Sequence, residues 1–311
     1  MKVVFAFAVI GIHLSLFADS NPFLNHVLTM GLFRLGVPFY FMVSGFYFAS
    51  RLDGRKKSNA WLMKLVRIYV VFELIDLILN LVINPGLLSD PVGIVRRVCT
   101  AGMNGIYWYL VSLFLTCFLL RPLWRRGYEK QLIVVGALLY LAAMTVDSYS
   151  FLPSPAWLQG LMKMHMSFWR WPQAGLTESV LFLSPGVYMR KNSLPDCSAF
   201  LLPLFLILLV TEAMFTQVHG AADANCYLSL PLCTVFLLQY CLKHPDVKFH
   251  MPLFSDLSLY VYMVHPYINY VTWALGNSVF RFAASSLLSM LLSVLIIRAK
   301  EKVRKTGNRT I

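Results

Sequence analysis

MKVVFAFAVIGIHLSLFA, residues Met1–Ala18, is an apolar run with only two ionisable side chains, Lys2 and His13. As one helix, this stretch places the two side chains eleven residues apart, close to three full turns, and therefore on one face. The rise between them is about 16 Å, roughly half of a ~30 Å hydrocarbon core. The stretch predicts a membrane helix from Met1 to Ala18 with a cation at its edge and an imidazole near the midplane.

The composition is that of a polytopic membrane protein. Of 311 residues, 58% are hydrophobic and 13% charged, and the mean hydropathy is +0.66, whereas soluble domains carry about 25% charged residues. The net charge of +13 is explained by basic cytoplasmic loops rather than by nucleic acid. The six cysteines form no CxxC pair, so neither a disulfide nor a metal site is predicted.

Hydropathy predicts an all-α fold of about ten transmembrane helices. The predicted spans are 3–18, 27–50, 60–83, 107–124, 131–147, 175–190, 197–215, 225–242, 253–272 and 277–297. Threaded alternately from an inside N-terminus, they leave 21 of the 27 Lys and Arg side chains inside. The six outside are Arg34, Arg96, Arg97, Lys163, Arg170 and Arg281. This asymmetry predicts that both termini are cytoplasmic.

Ionisable groups inside the spans are candidate functional residues because burying a charge in lipid is costly. Glu73 and Asp76 follow Tyr69 at helical spacing in the third span, and we expect His13 or Arg34 to be their partner. Each group has a bland alternative: His13 in packing, and Arg34 reaching the outer interface.

The ninth span carries a polar stripe at helical spacing, made by Ser258, Tyr262, His265 and Asn269. Pro266 disfavours helical geometry at the residue before it, which predicts a local break at His265. In the second span, Pro38 predicts a kink, and Ser44-Gly45 predicts the close approach of another backbone.

Two further features lie near the predicted membrane surfaces. Lys64 and Arg67 are one turn apart at the inner edge, where they suit either phosphate binding or simple anchoring. The outer loop 148–174 is rich in aromatic residues and prolines. It predicts an interfacial helix around Trp157–Met166, as an aromatic belt or as an entry for an acceptor.

These motifs resemble the acyltransferase 3 family of integral-membrane acyltransferases. The matching motifs are Lys2 with His13, Arg34 with Val37-Pro38-Phe39 and Ser44-Gly45-Phe46, Lys64 with Arg67, Trp108-Tyr109-Leu110, and Ser255 through His265. The family is expected here in its stand-alone form, with a short N-terminus and no hydrolase-like domain. A transmembrane acyltransferase domain is expected over 1–298 and a basic cytoplasmic tail over 299–311.

The resemblance implies transfer of an acyl group, most often acetyl from acetyl-CoA, to a hydroxyl of an envelope carbohydrate or glycolipid at the inner (cytoplasmic) membrane. His13 is expected to act as the base, oriented by Glu73 or Asp76. Tyr262 or His265 would stabilise the oxyanion, or His265 would relay the acyl group. The expected donor-binding residues are Lys2, Lys64 and Arg67, and the expected acceptor-binding residues are Arg34, Ser44, Trp108 and Tyr109.

Two other functional classes fit the same residues. A proton-coupled exporter of an envelope precursor would use the intramembrane histidines and acids as a relay, although no internal repeat is visible. A sensory or interaction domain with degenerate chemistry would need none of them.

Overall fold

The computed structural model describes residues 1–221, 224–244 and 252–307. These residues are mostly helical and contain no β-strand, which confirms the predicted all-α class. The α-helices in chain order are α1 Lys2–His13, α2 Pro22–His26, α3 Gly36–Ala49, α4 Arg55–Ile83, α5 Pro91–Thr100, α6 Trp108–Arg125, α7 Glu129–Met144, α8 Ala156–Trp169, α9 Leu176–Lys191, α10 Ser198–Val218, α11 Leu230–Lys243, α12 Pro252–Thr272 and α13 Ser278–Gly307.

Three helical stretches of the described chain are long and apolar enough to cross a membrane. They are Pro22–Ala49, Ser198–Val218 and Ser278–Val303, and α1 and α11 are shorter apolar helices. These stretches support the predicted membrane class, whereas the count of ten spans and the location of the termini stay predictions.

The first helix is shorter than its hydropathy predicts. α1 ends at His13 rather than Ala18, and the backbone then turns, with positive φ values of 49° at Ser15 and 71° at Phe17. The predicted helix over Met1–Ala18 was therefore wrong at its C-terminal end, because apolar composition does not record where a backbone turns. Its 12 residues rise about 18 Å, which is less than the thickness of a bilayer core.

The second predicted span is made of several helical segments rather than one regular helix. Between α2 and α3 lie a π-helical turn, Val27–Gly31, and a 3₁₀ turn, Leu32–Leu35. Pro38 is the third residue of α3. Arg34, the residue four positions earlier at which a proline withholds its N–H, lies in the 3₁₀ turn. The irregular backbone therefore occupies the turn before the proline, which is where a proline disturbs a helix.

The chain divides into two compact units. The terminal unit comprises residues 1–36 and 241–311, and the central unit comprises residues 37–240. In the terminal unit, α1, α12 and α13 pack against one another. Gly11 brings α1 close to the chain around Phe33, since a Cβ atom on Gly11 would lie 2.7 Å from a ring carbon of Phe33.

In the central unit, α9 is the helix against which α3, α6 and α7 pack. A Cβ atom on Gly45 would lie 2.2 Å from the carbonyl oxygen of Leu183, and one on Gly186 would lie 2.0 Å from that of Met42. The close backbone approach predicted at Ser44-Gly45 is thus confirmed. The helix predicted around Trp157–Met166 is also present, as the longer α8.

Candidate functional site

The terminal unit brings two of the predicted catalytic histidines together. The rings of His13 and His265 stack with their centroids 5.4 Å apart and their planes at 25°. His13 is the last residue of α1 and is exposed, whereas His265 on α12 has no exposed surface. The end of α1 therefore presents one imidazole to the surface and stacks it on a second, buried imidazole.

His265 is oriented by the backbone of its own helix. Its Nδ1 atom lies 2.7 Å from the carbonyl oxygen of Tyr262, and because a carbonyl only accepts, Nδ1 carries the proton and donates it. Its Nε2 atom is buried and has no hydrogen-bond partner among the described residues. Nε2 is therefore the lone-pair nitrogen, available to accept a proton or to attack a carbonyl carbon.

The local break expected at His265 was wrong. α12 runs without interruption from Pro252 to Thr272, with Pro266 inside it. The preference of a pre-proline residue for extended backbone is a bias that tertiary packing overrides, and here α12 packs against both α1 and α13.

More buried polar side chains accompany His265 in the terminal unit. The predicted stripe is present and buried on α12, and α13 adds Ser285, Ser289 and Ser293, each with no exposed surface. Thr272 and Ser285 join the two helices through a 2.5 Å hydroxyl contact. Asn269 Oδ1 and Ser289 Oγ find no hydrogen-bond partner among the described residues. Buried polar atoms are normally paired, so these two atoms can each form a further hydrogen bond with a polar ligand.

The two carboxylates of α4 bind a loop of the central unit. Glu73 Oε1 accepts the backbone N–H of Met103 at 2.9 Å, and Asp76 Oδ2 accepts that of Asn104 at 3.1 Å. The loop turns at Gly102, whose φ of +77° is in the region that favours glycine. The two carboxylates therefore have backbone amides as partners, whereas the sequence analysis expected His13 or Arg34 in that role. The role of the two acids in orienting His13 stays a prediction.

Three of the predicted acceptor-binding residues belong to one aromatic cluster in the central unit. The Ser44 and Tyr109 hydroxyls are 3.5 Å apart, and the Phe41 ring lies 4.7 Å from that of Tyr109 and 6.3 Å from that of Trp108. Tyr40 extends the cluster, with its ring centroid 6.0 Å from that of Tyr109. The cluster combines flat apolar faces with hydroxyl groups.

The remaining predicted site residues are basic. Lys64 and Arg67 are both exposed one turn apart on α4, in the central unit. Lys2 begins α1 and Arg34 lies in the 3₁₀ turn, both in the terminal unit, and an Arg34 guanidinium nitrogen lies 2.9 Å from the Met30 sulfur.

Sequence reasoning missed two sets of polar residues. The serines of α13 recur every four residues, a spacing that would have revealed one helix face. Asp147 accepts the backbone N–H groups of Asn225 and Cys226 at 2.7 and 2.6 Å, and Glu212 accepts those of Leu228 and Ser229 at 2.6 and 2.9 Å. Because each acid and the amides that it binds are far apart in sequence, no local sequence pattern predicts these hydrogen bonds.

The fold and the histidine pair together define a helical membrane protein with a potential acid–base or nucleophilic site. The family model described as an acyltransferase domain, Acyl_transf_3, matches residues 1–298. The chain belongs to the acyltransferase 3 family, which confirms the resemblance inferred from its motifs.

Two relatives carry racemase names. An amino-acid racemase of Enterococcus faecalis is 25% identical over 97% of this chain and 46% of its own length. A serine/alanine racemase of Enterococcus gallinarum is 28% identical over 86% of this chain and 40% of its own length. The chain thus spans less than half the length of these relatives. No solved structure matches it.

Proposed function

We propose that the protein is a multi-pass O-acyltransferase of the inner (cytoplasmic) membrane. It moves an acyl group, in the simplest case acetyl, from cytoplasmic acyl-CoA to a hydroxyl of an envelope carbohydrate or glycolipid. Family membership supports acyl transfer in general. The observation that carries the mechanism is the stacked pair of His13 and His265, in which a buried imidazole nitrogen keeps its lone pair.

In the direct route, one imidazole removes the proton of the acceptor hydroxyl as its oxygen bonds to the thioester carbonyl carbon. The carbon–sulfur bond then breaks, and the imidazolium returns the proton to the departing thiolate. The products are an O-acyl ester and free CoA. His13 suits the role of base because it is exposed and can meet an incoming acceptor.

In the relayed route, Nε2 of His265 attacks the carbonyl carbon and releases the thiolate. The acceptor hydroxyl then displaces the imidazole while His13 takes its proton and passes it to the thiolate. Since Nδ1 of His265 already donates to Tyr262, this imidazole cannot also serve as the oxyanion donor in the same tautomer. That role falls to the Tyr262 hydroxyl.

The proposal includes ten spans with both termini in the cytoplasm, so that the exposed Lys64 and Arg67, with Lys2, bind the phosphates of the donor. Their charge suits a polyanion. Ser44, Trp108 and Tyr109 of the central unit are proposed to bind the acceptor, because aromatic faces and hydroxyl groups are the usual complement of a sugar. Arg34 of the terminal unit is also proposed as an acceptor-binding residue.

The test is acyl transfer in proteoliposomes with radiolabelled acetyl-CoA and an envelope extract as the source of acceptors. We expect His13→Ala and His265→Ala each to lower label transfer and CoA release by 10²-fold or more, the usual range for acid–base groups. His219→Ala is the matched control, since His219 is an exposed histidine of the central unit. Parental transfer rates in both folded variants would overturn the proposal.

A second candidate is a proton-coupled carrier, and the name of one relative, a serine/alanine racemase, makes a small amino acid the cargo to test. In that case the two histidines would relay protons. The same proteoliposomes separate the candidates: uptake of labelled serine driven by a pH gradient, without release of CoA, supports the carrier.

A further inference from the structure

Pro266 removes a hydrogen-bond donor from the helix at one particular carbonyl. In an α-helix, the N–H of each residue bonds to the carbonyl four residues earlier. Proline has no N–H, so Pro266 leaves the carbonyl of Tyr262 without its usual partner. Tyr262 and its neighbours Val261 and Met263 are buried, so a backbone carbonyl here needs another donor.

The replacement donor is the His265 side chain. Its Nδ1 atom is 2.7 Å from the Tyr262 carbonyl oxygen, three residues away on the same face of α12. The helix remains continuous through the proline. The side chain of His265 thus donates the hydrogen bond that the missing N–H of Pro266 would have donated.

This hydrogen bond determines whether Nε2, the second ring nitrogen of His265, carries a proton. A neutral imidazole has one proton, which the Tyr262 carbonyl fixes on Nδ1. Nε2 is then left as an acceptor, buried and without a partner among the described residues. A backbone amide at position 266 would compete for the carbonyl and allow the proton to move to Nε2.

We propose that Pro266 is a positioning residue that acts through the Tyr262 carbonyl to hold His265 with its proton on Nδ1 and its lone pair on Nε2. The assignment of His265 to catalysis rests on the proposed acyl transfer. The tautomer itself does not, so the two are tested separately.

The experiment compares Pro266→Ala with the parent protein in proteoliposomes, using ¹⁵N-labelled histidine and solid-state NMR. The parent is expected to show His265 with the proton on Nδ1 alone, assigned by its loss in His265→Ala. Pro266→Ala is expected to show a mixture of both tautomers. Acyl transfer is expected to fall roughly 10- to 100-fold, as is usual when the group that orients a reactive histidine is lost.

A second variant separates the missing donor from the shape of the proline ring. Lactic acid at position 266, introduced by nonsense suppression, replaces the amide by an ester and has neither an N–H nor a ring. It is expected to restore the Nδ1–H tautomer and most of the transfer. Pro203→Ala is the matched control, because Pro203 lies inside α10 in the other unit and should leave both readouts unchanged.

An unchanged Nδ1–H tautomer in Pro266→Ala would overturn the inference, as would a lactic acid variant that behaves like alanine. If the alanine variant does not fold, the lactic acid variant still tests the inference. The Nδ1–H tautomer in that variant supports the role of the missing donor, and a mixture of tautomers contradicts it. If the parent transfers no acyl group, the proposed function fails while the NMR comparison still tests the tautomer.

Discussion

Glu73 accepts the backbone N–H of Met103 at 2.9 Å, so a carboxylate predicted to serve chemistry also holds a loop in place. Asp76, three residues along α4, does the same for Asn104. Both residues are buried, each with a relative exposure of 4%. A buried acid that accepts backbone hydrogen bonds stabilises a local structure, and this role can be measured apart from catalysis.

Asp76→Ala should destabilise the fold, because the N–H of Asn104 loses its acceptor. We expect a loss of about 1–2 kcal/mol, measured by thermal unfolding in detergent. Asp76→Asn keeps a side-chain oxygen in place and should remain close to the parent in stability. Asp53→Ala, which removes an exposed acid just before the same helix, is the control.

Acyl transfer then tests the second role of the same residue. If the charge of Asp76 serves acyl transfer, Asp76→Asn should keep stability and lose transfer, because the amide lacks the negative charge. Equal rates of acyl transfer in Asp76→Asn and the parent would show that Asp76 has only the structural role of binding the loop.

The stack of His13 on His265 predicts different outcomes for two substitutions of His13. Phenylalanine keeps a ring against His265 but has no nitrogen, so His13→Phe should unfold at the parental temperature and lose acyl transfer. His13→Ala should lose both transfer and part of the stacking, worth about 0.5–1.5 kcal/mol. Thermal unfolding and label transfer measure the two effects, and parental transfer in His13→Phe would contradict a role for the imidazole.

Two glycines make a sharp prediction about packing in the central unit. A Cβ atom on Gly45 would lie 2.2 Å from a backbone carbonyl oxygen, and a backbone cannot move aside as a flexible side chain can. Gly45→Ala should therefore destabilise the protein by about 2 kcal/mol or more. The same substitution at Gly186 should behave alike, since its Cβ would lie 2.0 Å from another carbonyl oxygen.

Gly160 provides the matched control for these glycines. It lies inside α8, and a Cβ there would meet nothing within 4 Å. Gly160→Ala should therefore stabilise the helix by about 0.5–1 kcal/mol. Equal thermal unfolding temperatures for all three alanine variants would show that the helices are not as close as the structure has them.

The features predicted correctly depend on local spacing. The polar stripe of α12, the small residues at Ser44-Gly45 and the helix in loop 148–174 are each encoded within a few turns of chain. Three features were not predicted. Residues 14–18 are apolar except for Ser15, although the helix has ended. The hydrogen bond from His265 to the Tyr262 carbonyl was not predicted, and the amides bound by Glu73 and Asp76 lie about thirty residues away in sequence. Hydropathy records burial, but neither the course of the backbone nor the partner of a buried charge.

Asp19 predicts how the terminal unit responds to acid. Its carboxylate accepts the backbone N–H of Ser278 at 2.5 Å and lies 3.5 Å from the guanidinium of Arg281. The hydrogen bond from Ser278 is the main cause that lowers the pKa of Asp19 below its ordinary value of 3.8. A lowered pKa means that the folded protein binds the carboxylate form more strongly than the unfolded chain does. The stabilisation is therefore complete well above pH 3.8 and is lost as the pH falls through the lower, folded pKa.

Asp19→Asn measures that stabilisation. At pH 7 the variant should unfold at a lower temperature than the parent. The gap should narrow as the pH falls below 3.8 and through the lowered pKa of Asp19, where the folded parent takes up its proton. Asp53→Asn, which changes an exposed acid of the central unit, should show no such gap. A gap that stays constant from pH 7 to pH 3 would mean that the asparagine acts through its shape and not through the missing charge.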